Sequence, residues 1–145
     1  MPNIDATKLQ TAASIQTAQF EAAKAQALTE LRQRLAAWLD GFVAPYPEAE
    51  QLSFSDQMSA AVKIQMAATL NTVEQTLMAG ATAITGETDT DWATRVMGKA
   101  AAFAGAVSAA AGLRTAFEGQ IAGATDQAAL DVVLAAMRAQ LNALP

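Results

Sequence analysis

Three acidic residues have the spacing that comes closest to a functional motif. Glu87, Asp89 and Asp91 alternate along the chain, as the first ligands of a calcium-binding loop do. Such a loop needs glycine at its sixth position and a bidentate glutamate at its twelfth, where this sequence has Trp92 and Gly98. Carboxylates at the start of a helix also stabilise its positive end. We therefore expect these acidic residues to cap a helix, and no metal site is predicted.

The other residue types that perform chemistry are absent or isolated. The chain has no histidine and no cysteine, so its serines lack the usual general base and thiolate chemistry is excluded. Lys99 and Arg114 could form buried ion pairs or clamp a small ligand, although such side chains more often extend to solvent or pair with a neighbouring helix. The sequence predicts no enzyme activity and no cofactor.

The composition favours thin, closely packed helices. The chain has 145 residues, of which 52% are hydrophobic, and alanine supplies much of that share. Alanine is the best helix former but buries little surface.

The net charge of −5, without a cluster of basic residues, argues against nucleic acid as a partner. The longest uncharged apolar stretch, residues 100–113, is shorter than the ~20 residues of a membrane-spanning helix, so we expect no membrane partner.

The first helix is predicted over residues 5–42. Small or apolar residues recur along it every three or four positions, which is the pattern of a coiled-coil seam with a local stutter. The seam consists of Leu9, Ala13, Gln16, Phe20, Ala23, Ala27, Leu31, Leu35, Trp38 and Phe42. Its second half, from Leu31 onward, is the more apolar and is expected to be the stronger anchor. Pro45 and Pro47 then end the helix.

The rest of the chain is predicted to form three more helices. The second begins near Phe54 and ends at Gly80. Its apolar stripe is expected to be Met58, Val62, Met66, Leu70, Val73 and Leu77. The third covers about residues 88–122, and the fourth starts at residue 125 or 126.

The predicted fold is therefore all-α. It is a four-helix arrangement with a long, coiled-coil-like N-terminal helix and a long third helix rich in glycine and alanine. The expected organisation is an N-terminal helix (1–42), a proline-containing loop or hinge (43–52) and a helical bundle (53–145).

Four glycines recur every seven residues in the third helix: Gly98, Gly105, Gly112 and Gly119. At about 100° per residue they share one side of the helix. The opposite side carries the bulkier residues Trp92, Val96, Phe103, Val107, Ala110, Phe117 and Ile121. Each glycine inside a helix costs about 0.5–1 kcal/mol relative to alanine. We expect the glycines to let another helix approach closely, from this chain or from another subunit, although an Ala/Gly-rich composition alone could also produce the spacing.

Two segments carry a family resemblance. In residues 52–61, Leu-Ser-Phe-Ser-Asp-Gln-Met-Ser-Ala-Ala, a Phe-x-x-Gln motif opens a helix. Residues 92–103, Trp-Ala-Thr-Arg-Val-Met-Gly-Lys-Ala-Ala-Ala-Phe, lead through Arg114 to Ile-Ala-Gly-Ala-Thr at residues 121–125. Together they resemble the helical C-terminal region of small phage tail proteins of the tail fibre assembly and baseplate- or fibre-associated types. Many such proteins begin with a strand-rich domain, whereas this chain begins with a predicted long helix.

The resemblance implies a non-enzymatic structural component of the virion tail, made in the host cytoplasm. Tail fibre or baseplate proteins are the implied partners, and a homotrimer is the implied oligomer because fibres in that family are usually trimeric. The interface is expected to use the four glycines together with Leu9, Phe20, Leu31, Leu35, Trp38 and Phe42. Two alternatives stay open: a fibre assembly chaperone that is not retained in the virion, and a helical adaptor or regulator unrelated to phage.

Overall fold

The computed structural model describes residues 11–145, and that part of the chain is helical, with no β-strand. Its helices are α1 (Ala12–Val43), α2 (Glu48–Gln51), α3 (Phe54–Gln65), α4 (Thr72–Thr85), α5 (Asp89–Gly123) and α6 (Gln127–Asn142). The all-α prediction is confirmed. The four-helix arrangement is not confirmed, because the described residues form six helices and the Gly/Ala-rich helix is the fifth. Leu9, the first residue of the predicted seam, lies outside the described residues.

The predicted loop over residues 43–52 contains the short helix α2. Pro47 precedes this helix with an extended backbone, φ −56° and ψ 147°. The side-chain amide of Gln51 donates hydrogen bonds to the backbone carbonyls of Val43 (3.2 Å) and Tyr46 (2.8 Å). The prolines therefore end α1 as predicted, and Gln51 then fixes the path of the segment that follows.

The second predicted helix is interrupted, because α3 ends in a Schellman motif. Ala67 has φ 52°, in the left-handed region. Its N–H donates to the carbonyl of Ile64 (3.1 Å), and the N–H of Ala68 donates to the carbonyl of Lys63 (2.8 Å), which is the bonding pattern of that motif. The left-handed position is usually glycine. Because this position is alanine, no residue in the sequence indicates that a helix ends here.

Neither the start nor the end of helix α4 was predicted from the sequence. The side chain of Asn71 accepts a hydrogen bond from the N–H of Glu74 (2.9 Å), and Glu74 Oε2 accepts one from the N–H of Asn71 (2.8 Å). This reciprocal pair is a capping box. Gly80 lies inside α4, so the predicted stop there is wrong. The helix ends at Gly86, whose φ of 72° favours glycine.

The chain divides into two compact units, one of which is Leu39–Ala110. Its core contains Ala60, Ala61, Trp92, Ala93 and Val96, with Ile64, Leu70, Met78, Ala81 and Met97 packed against it. The predicted stripe of the second helix is mostly not this core, since Met66 and Val73 are 73% and 57% exposed. The break between α3 and α4 changes the helical register, so residues that would have shared one face of a continuous helix do not.

The other unit comprises the described residues up to Trp38 together with Ala111–Pro145. Its buried residues are Ala27, Leu31, Leu35, Phe117, Ile121, Ala124, Leu130, Met137 and Leu141. On each of α1, α5 and α6 these residues follow steps of three, four or seven, as a buried helix side requires. Burial of these apolar side chains stabilises the unit.

Two contacts show that α6 runs parallel to α1 in this unit. Arg138 donates two hydrogen bonds to Glu30 (2.9 and 2.7 Å), and Arg34 donates to Asn142 Oδ1 (3.3 Å). The partner numbers rise together along both helices, so the helices point the same way. Because exposed ion pairs contribute at most about 1 kcal/mol each, these contacts set register more than stability.

The C-terminal part of α5 runs antiparallel to α1. Lys24 Nζ donates to the carbonyl of Ala122 (3.2 Å), and Arg32 donates to Glu118 Oε1 (2.9 Å). Here the partner numbers change in opposite directions. The ammonium of Lys24 also satisfies a carbonyl at the negative end of α5, which stabilises a helix C-terminus.

The predicted starts of the last two helices are confirmed by their caps. Thr88 Oγ1 accepts a hydrogen bond from the N–H of Asp91 (3.1 Å) at the start of α5. The Asp126 carboxylate accepts one from the N–H of Ala129 (2.8 Å) at the start of α6. Both side chains satisfy N–H groups that a helix leaves without a partner.

Substituting Ala67→Gly is expected to stabilise the protein by about 0.5–1 kcal/mol. The left-handed conformation costs a residue with a Cβ about 1–2 kcal/mol, and the greater freedom of glycine in the unfolded chain offsets part of that gain. Urea denaturation measures the difference. The matched control is Ala79→Gly, an exposed position inside α4, where the same change should destabilise by about 0.5–1 kcal/mol. Equal destabilisation by both changes would contradict the assignment of Ala67.

Candidate interaction surfaces

The helix α5 buries residues on one side. On the predicted bulky side, the residues that are buried are Trp92, Val96, Ala110, Phe117 and Ile121. Phe103 and Val107 lie on the same side but are 40% and 42% exposed. The bulkier side of α5 is therefore only partly covered at Phe103 and Val107.

The opposite side of α5 is open. We call it the glycine face and define it as Gly98, Ala101, Gly105, Ser108, Ala109, Gly112, Thr115, Ala116 and Gly119. Every one of these residues is exposed, and a Cβ built on any of the four glycines would have nothing within 4 Å. No described residue therefore makes the close approach that the glycine spacing predicts. Over residues 11–145, nothing packs closely against the four glycines of this face.

The predicted interface residues of the first helix are mostly engaged within the chain. Leu31 and Leu35 are buried in the core described above. Trp38 is half-buried, and its indole N–H donates to the carbonyl of Pro145 (2.9 Å). Phe20 is half-buried. In contrast, the first eight residues of α1 are all exposed, so the open part of this helix is its N-terminal end.

An apolar groove of about 350 Å³ lies within the Leu39–Ala110 unit. Phe42, Tyr46, Phe54 and Phe103 line it. The rings of Tyr46 and Phe54 meet edge to face with centroids 5.3 Å apart, and those of Phe42 and Phe103 are 6.3 Å apart. The groove thus gathers four of the eight aromatic residues of the chain. No sequence signal predicted it, because it depends on how the segment after α1 folds against α5.

Two cationic side chains of α5 also line the groove. Arg95 donates from Nε and Nη2 to the two carboxylate oxygens of Glu87, each at 2.8 Å, and these bonds lower the pKa of Glu87 below its usual range. Lys99 Nζ lies 4.8 Å from the centroid of the Tyr46 ring. Among the described residues, no ion pair involves Lys99. It is therefore an exposed cation in a cation–π contact, and not half of a buried pair.

The acidic residues Asp89 and Asp91 lie in the first turn of α5 as expected, but the side chain that caps the helix is that of Thr88. Asp91 accepts a hydrogen bond from the Thr88 hydroxyl (2.7 Å), and Glu87 pairs with Arg95. Over residues 11–145, no group of three or more histidine, cysteine, aspartate or glutamate side chains is arranged to hold a metal ion. The other cation considered from the sequence, Arg114, is exposed.

Glu74 is the one buried charged residue in the part of the chain that the structure describes, with 2% of its surface exposed. Its Oε1 accepts hydrogen bonds from Lys63 Nζ and Ser59 Oγ, both at 2.7 Å, and its Oε2 accepts from Lys63 Nζ and the N–H of Asn71, both at 2.8 Å. With both oxygens satisfied, this carboxylate has a structural role. Its role was not predicted, although the Asn71-x-x-Glu74 spacing is the signature of a capping box.

By length and composition alone, α5 is the one helix within residues 11–145 that could cross a membrane, and 17% of its most apolar window is buried. Core helices of soluble proteins can meet the same criteria, but those helices are mostly buried. Any span of ~20 residues in α5 would include a charged side chain, because the uncharged stretch between Lys99 and Arg114 is shorter. The absence of a membrane partner remains a prediction.

Comparison with protein-family models, curated proteins and solved structures finds no match to this chain. The resemblance to phage tail proteins accordingly depends on the two sequence segments at residues 52–61 and 92–103.

The pKa of Glu74 is expected to be about 2, below its usual value of 4.5, because Lys63, Ser59 and the backbone of Asn71 all donate to it. A carboxyl whose folded-state pKa is lowered contributes stability that is complete above its unfolded pKa and is lost as the pH falls through the folded value. Stability should therefore decrease between about pH 4.5 and pH 2. A carbon-detected NMR titration of the Glu74 carboxyl group measures the pKa directly.

The matched variant for this titration is Lys63→Met, which removes the strongest of the donors. It should raise the pKa of Glu74 towards its usual value while leaving the Asn71 cap in place. A wild-type pKa near 4.5, or one that Lys63→Met leaves unchanged, would contradict the assigned network.

Proposed function

We propose that this protein is a non-enzymatic structural or assembly component that works by packing its helices against another protein, at the fibres or baseplate of a phage tail. The observation that carries the proposal is the open glycine face of α5, where small residues line one side of a 35-residue helix and no described part of the chain covers them.

The energetics of the glycines support a partner for this face. Relative to alanine, four glycines inside a helix cost roughly 2–4 kcal/mol. Domains of this size are stable by only about 5–15 kcal/mol, so the cost is a sizeable fraction of the total. Nothing within the described chain offsets it, since alanine at these positions would meet no neighbouring atom. A helix of another chain, packed at the short interaxial distance that glycine allows, would offset it.

The exposed N-terminal end of α1 supports the same kind of function. Its first eight residues are exposed on all sides, and an isolated helical segment of that length is marginal in water. The predicted seam passes through this end at Ala13 and Gln16. We propose that it pairs with a helix of another subunit in a coiled-coil-like contact, and that a trimer is the assembled form.

The resemblance of residues 52–61 and 92–103 to small tail proteins supports the phage setting. An assembly chaperone with the same surfaces is the alternative, and the two differ in where the protein is found. A virion component is present in purified particles, whereas a chaperone forms a soluble complex with fibre protein and leaves no copy in the particle. A helical adaptor unrelated to phage would bind neither fibre nor baseplate protein.

The double substitution Gly105→Leu and Gly112→Leu is expected to abolish association while stabilising the isolated chain by roughly 1–2 kcal/mol. The side chains would point away from the chain's own atoms, so folding tolerates them, but they would block a closely packed helix. Light scattering coupled to size exclusion measures the mass, and thermal unfolding measures the stability.

The control for this experiment is the double substitution Gly41→Leu and Gly80→Leu. These two glycines lie in α1 and α4, and a Cβ at either would also meet nothing within 4 Å. The control should keep the oligomeric mass of the wild type, or its binding to fibre or baseplate protein if the wild type is a monomer. Association that survives the α5 substitutions as well as it survives the control would overturn the role of the glycine face.

A further inference from the structure

We propose that the groove within the Leu39–Ala110 unit binds a small amphipathic carboxylate, with its apolar body among the aromatic side chains and its carboxylate at Lys99. This site is separate from the glycine face and does not require the protein to be a tail component. Three features of the groove favour such a ligand: its size, its apolar lining and the cation Lys99 in that lining.

The size and lining suit a small apolar body. A volume of about 350 Å³ lies at the lower end of the range of about 300–1,000 Å³ for small-molecule sites. Besides the four aromatic rings, Met58, Val96, Ala100 and Ala102 contribute apolar surface to the lining. Phe103 is 40% exposed. An apolar ligand would cover this ring and gain the free energy of removing it from water.

The charges around the groove favour an anionic end group at Lys99. The guanidinium of Arg95 already makes a two-pronged pair with Glu87, so its charge is largely matched. Lys99 makes the cation–π contact with Tyr46 and has no ion-pair partner in the described residues, although its charge acts on Glu87 from beyond ion-pair distance. Its ammonium lies beside the aromatic lining, so one molecule can contact both.

The carboxylate of Glu50 opposes the binding of an anion in the groove. It also lines the groove, and its charge acts on Arg95. Counting Arg95, Lys99, Glu50 and Glu87, the four charged groups sum to zero, so the groove is not a general anion trap. Lys99 attracts a carboxylate, whereas Glu50 in the lining repels one. We therefore expect modest affinity, with the carboxylate held at Lys99.

Three probes of equal chain length separate charge from hydrophobicity: decanoate and decyltrimethylammonium, each below its micelle-forming concentration, and decanol below its solubility limit. NMR titration of the full chain gives the dissociation constants and locates the site through amide shifts. A purely apolar surface would bind decanol most tightly, because the neutral molecule loses the least hydration. The proposal predicts that decanoate binds at least about fivefold more tightly than either of the others at low ionic strength.

Two charge variants should act in opposite directions. Lys99→Met should weaken decanoate binding about fivefold and leave decanol unchanged, as expected for one partly exposed ion pair of about 1 kcal/mol. Glu50→Gln should strengthen decanoate binding, because it removes a repulsive carboxylate. Arg114→Met is the control, since Arg114 is an exposed cation of the same helix that does not line the groove.

Ala100→Met tests the location, because its longer side chain would fill the groove. Binding of all three probes should fall at least tenfold, while Ala104→Met, at an exposed position one turn along α5, should keep wild-type binding. Decanol binding as tightly as decanoate, shifts that do not map to the groove, or full binding by Ala100→Met would each overturn the proposal. No saturable decanoate binding by the wild-type chain would overturn it as well.

Discussion

The two sides of α5 carry side chains of different size, and the rest of the structure depends on that difference. In a chain so rich in alanine, few side chains are large enough to build a core. On this helix those side chains share one side, with Trp92 and Val96 buried in one unit and Phe117 and Ile121 buried in the other. Concentrating the large residues on one side leaves the other with glycine, alanine, serine and threonine. The open glycine face is the direct consequence.

Hydrogen bonds and ion pairs join the helices in addition to the small apolar core. Around α3 and α4, the buried Glu74 receives donors from Ser59 and Lys63 on α3 and from the N–H of Asn71. A buried carboxylate is unfavourable without such partners, so the network ties the end of one helix to the start of the next. Around α1, exposed ion pairs such as Arg138–Glu30 set register at little energetic gain.

Features encoded by local chemistry were predictable from the sequence. The starts of α5 and α6 follow from the capping side chains of Thr88 and Asp126, and the seven-residue glycine spacing shows which side of α5 lacks bulk. Likewise, the seam pattern correctly marked Leu31 and Leu35 as apolar contacts, but it could not distinguish a contact within the chain from one with a partner.

Features that depend on an exception or on distant contacts were not predictable. The end of α3 depends on a left-handed Ala67, where helix-ending rules look for glycine. The true start of α4 was hidden by that missing break, although Asn71 and Glu74 carry a recognisable capping pattern. The aromatic groove and the exposure of Phe103 arise from how the segment after α1 folds, which no local pattern reports.

Thiol reactivity on the glycine face tests the central claim most directly. The chain has no cysteine, so Ser108→Cys places one nearly isosteric thiol in the middle of that face, and Ser55→Cys places an equivalent exposed thiol on α3. Both should react rapidly in the isolated chain. In the assembled state, whether a homo-oligomer or a complex with fibre or baseplate protein, reaction at position 108 should slow at least tenfold while reaction at position 55 does not. Equal reactivity at position 108 in the isolated and assembled states would contradict the claim that α5 is where the partner packs.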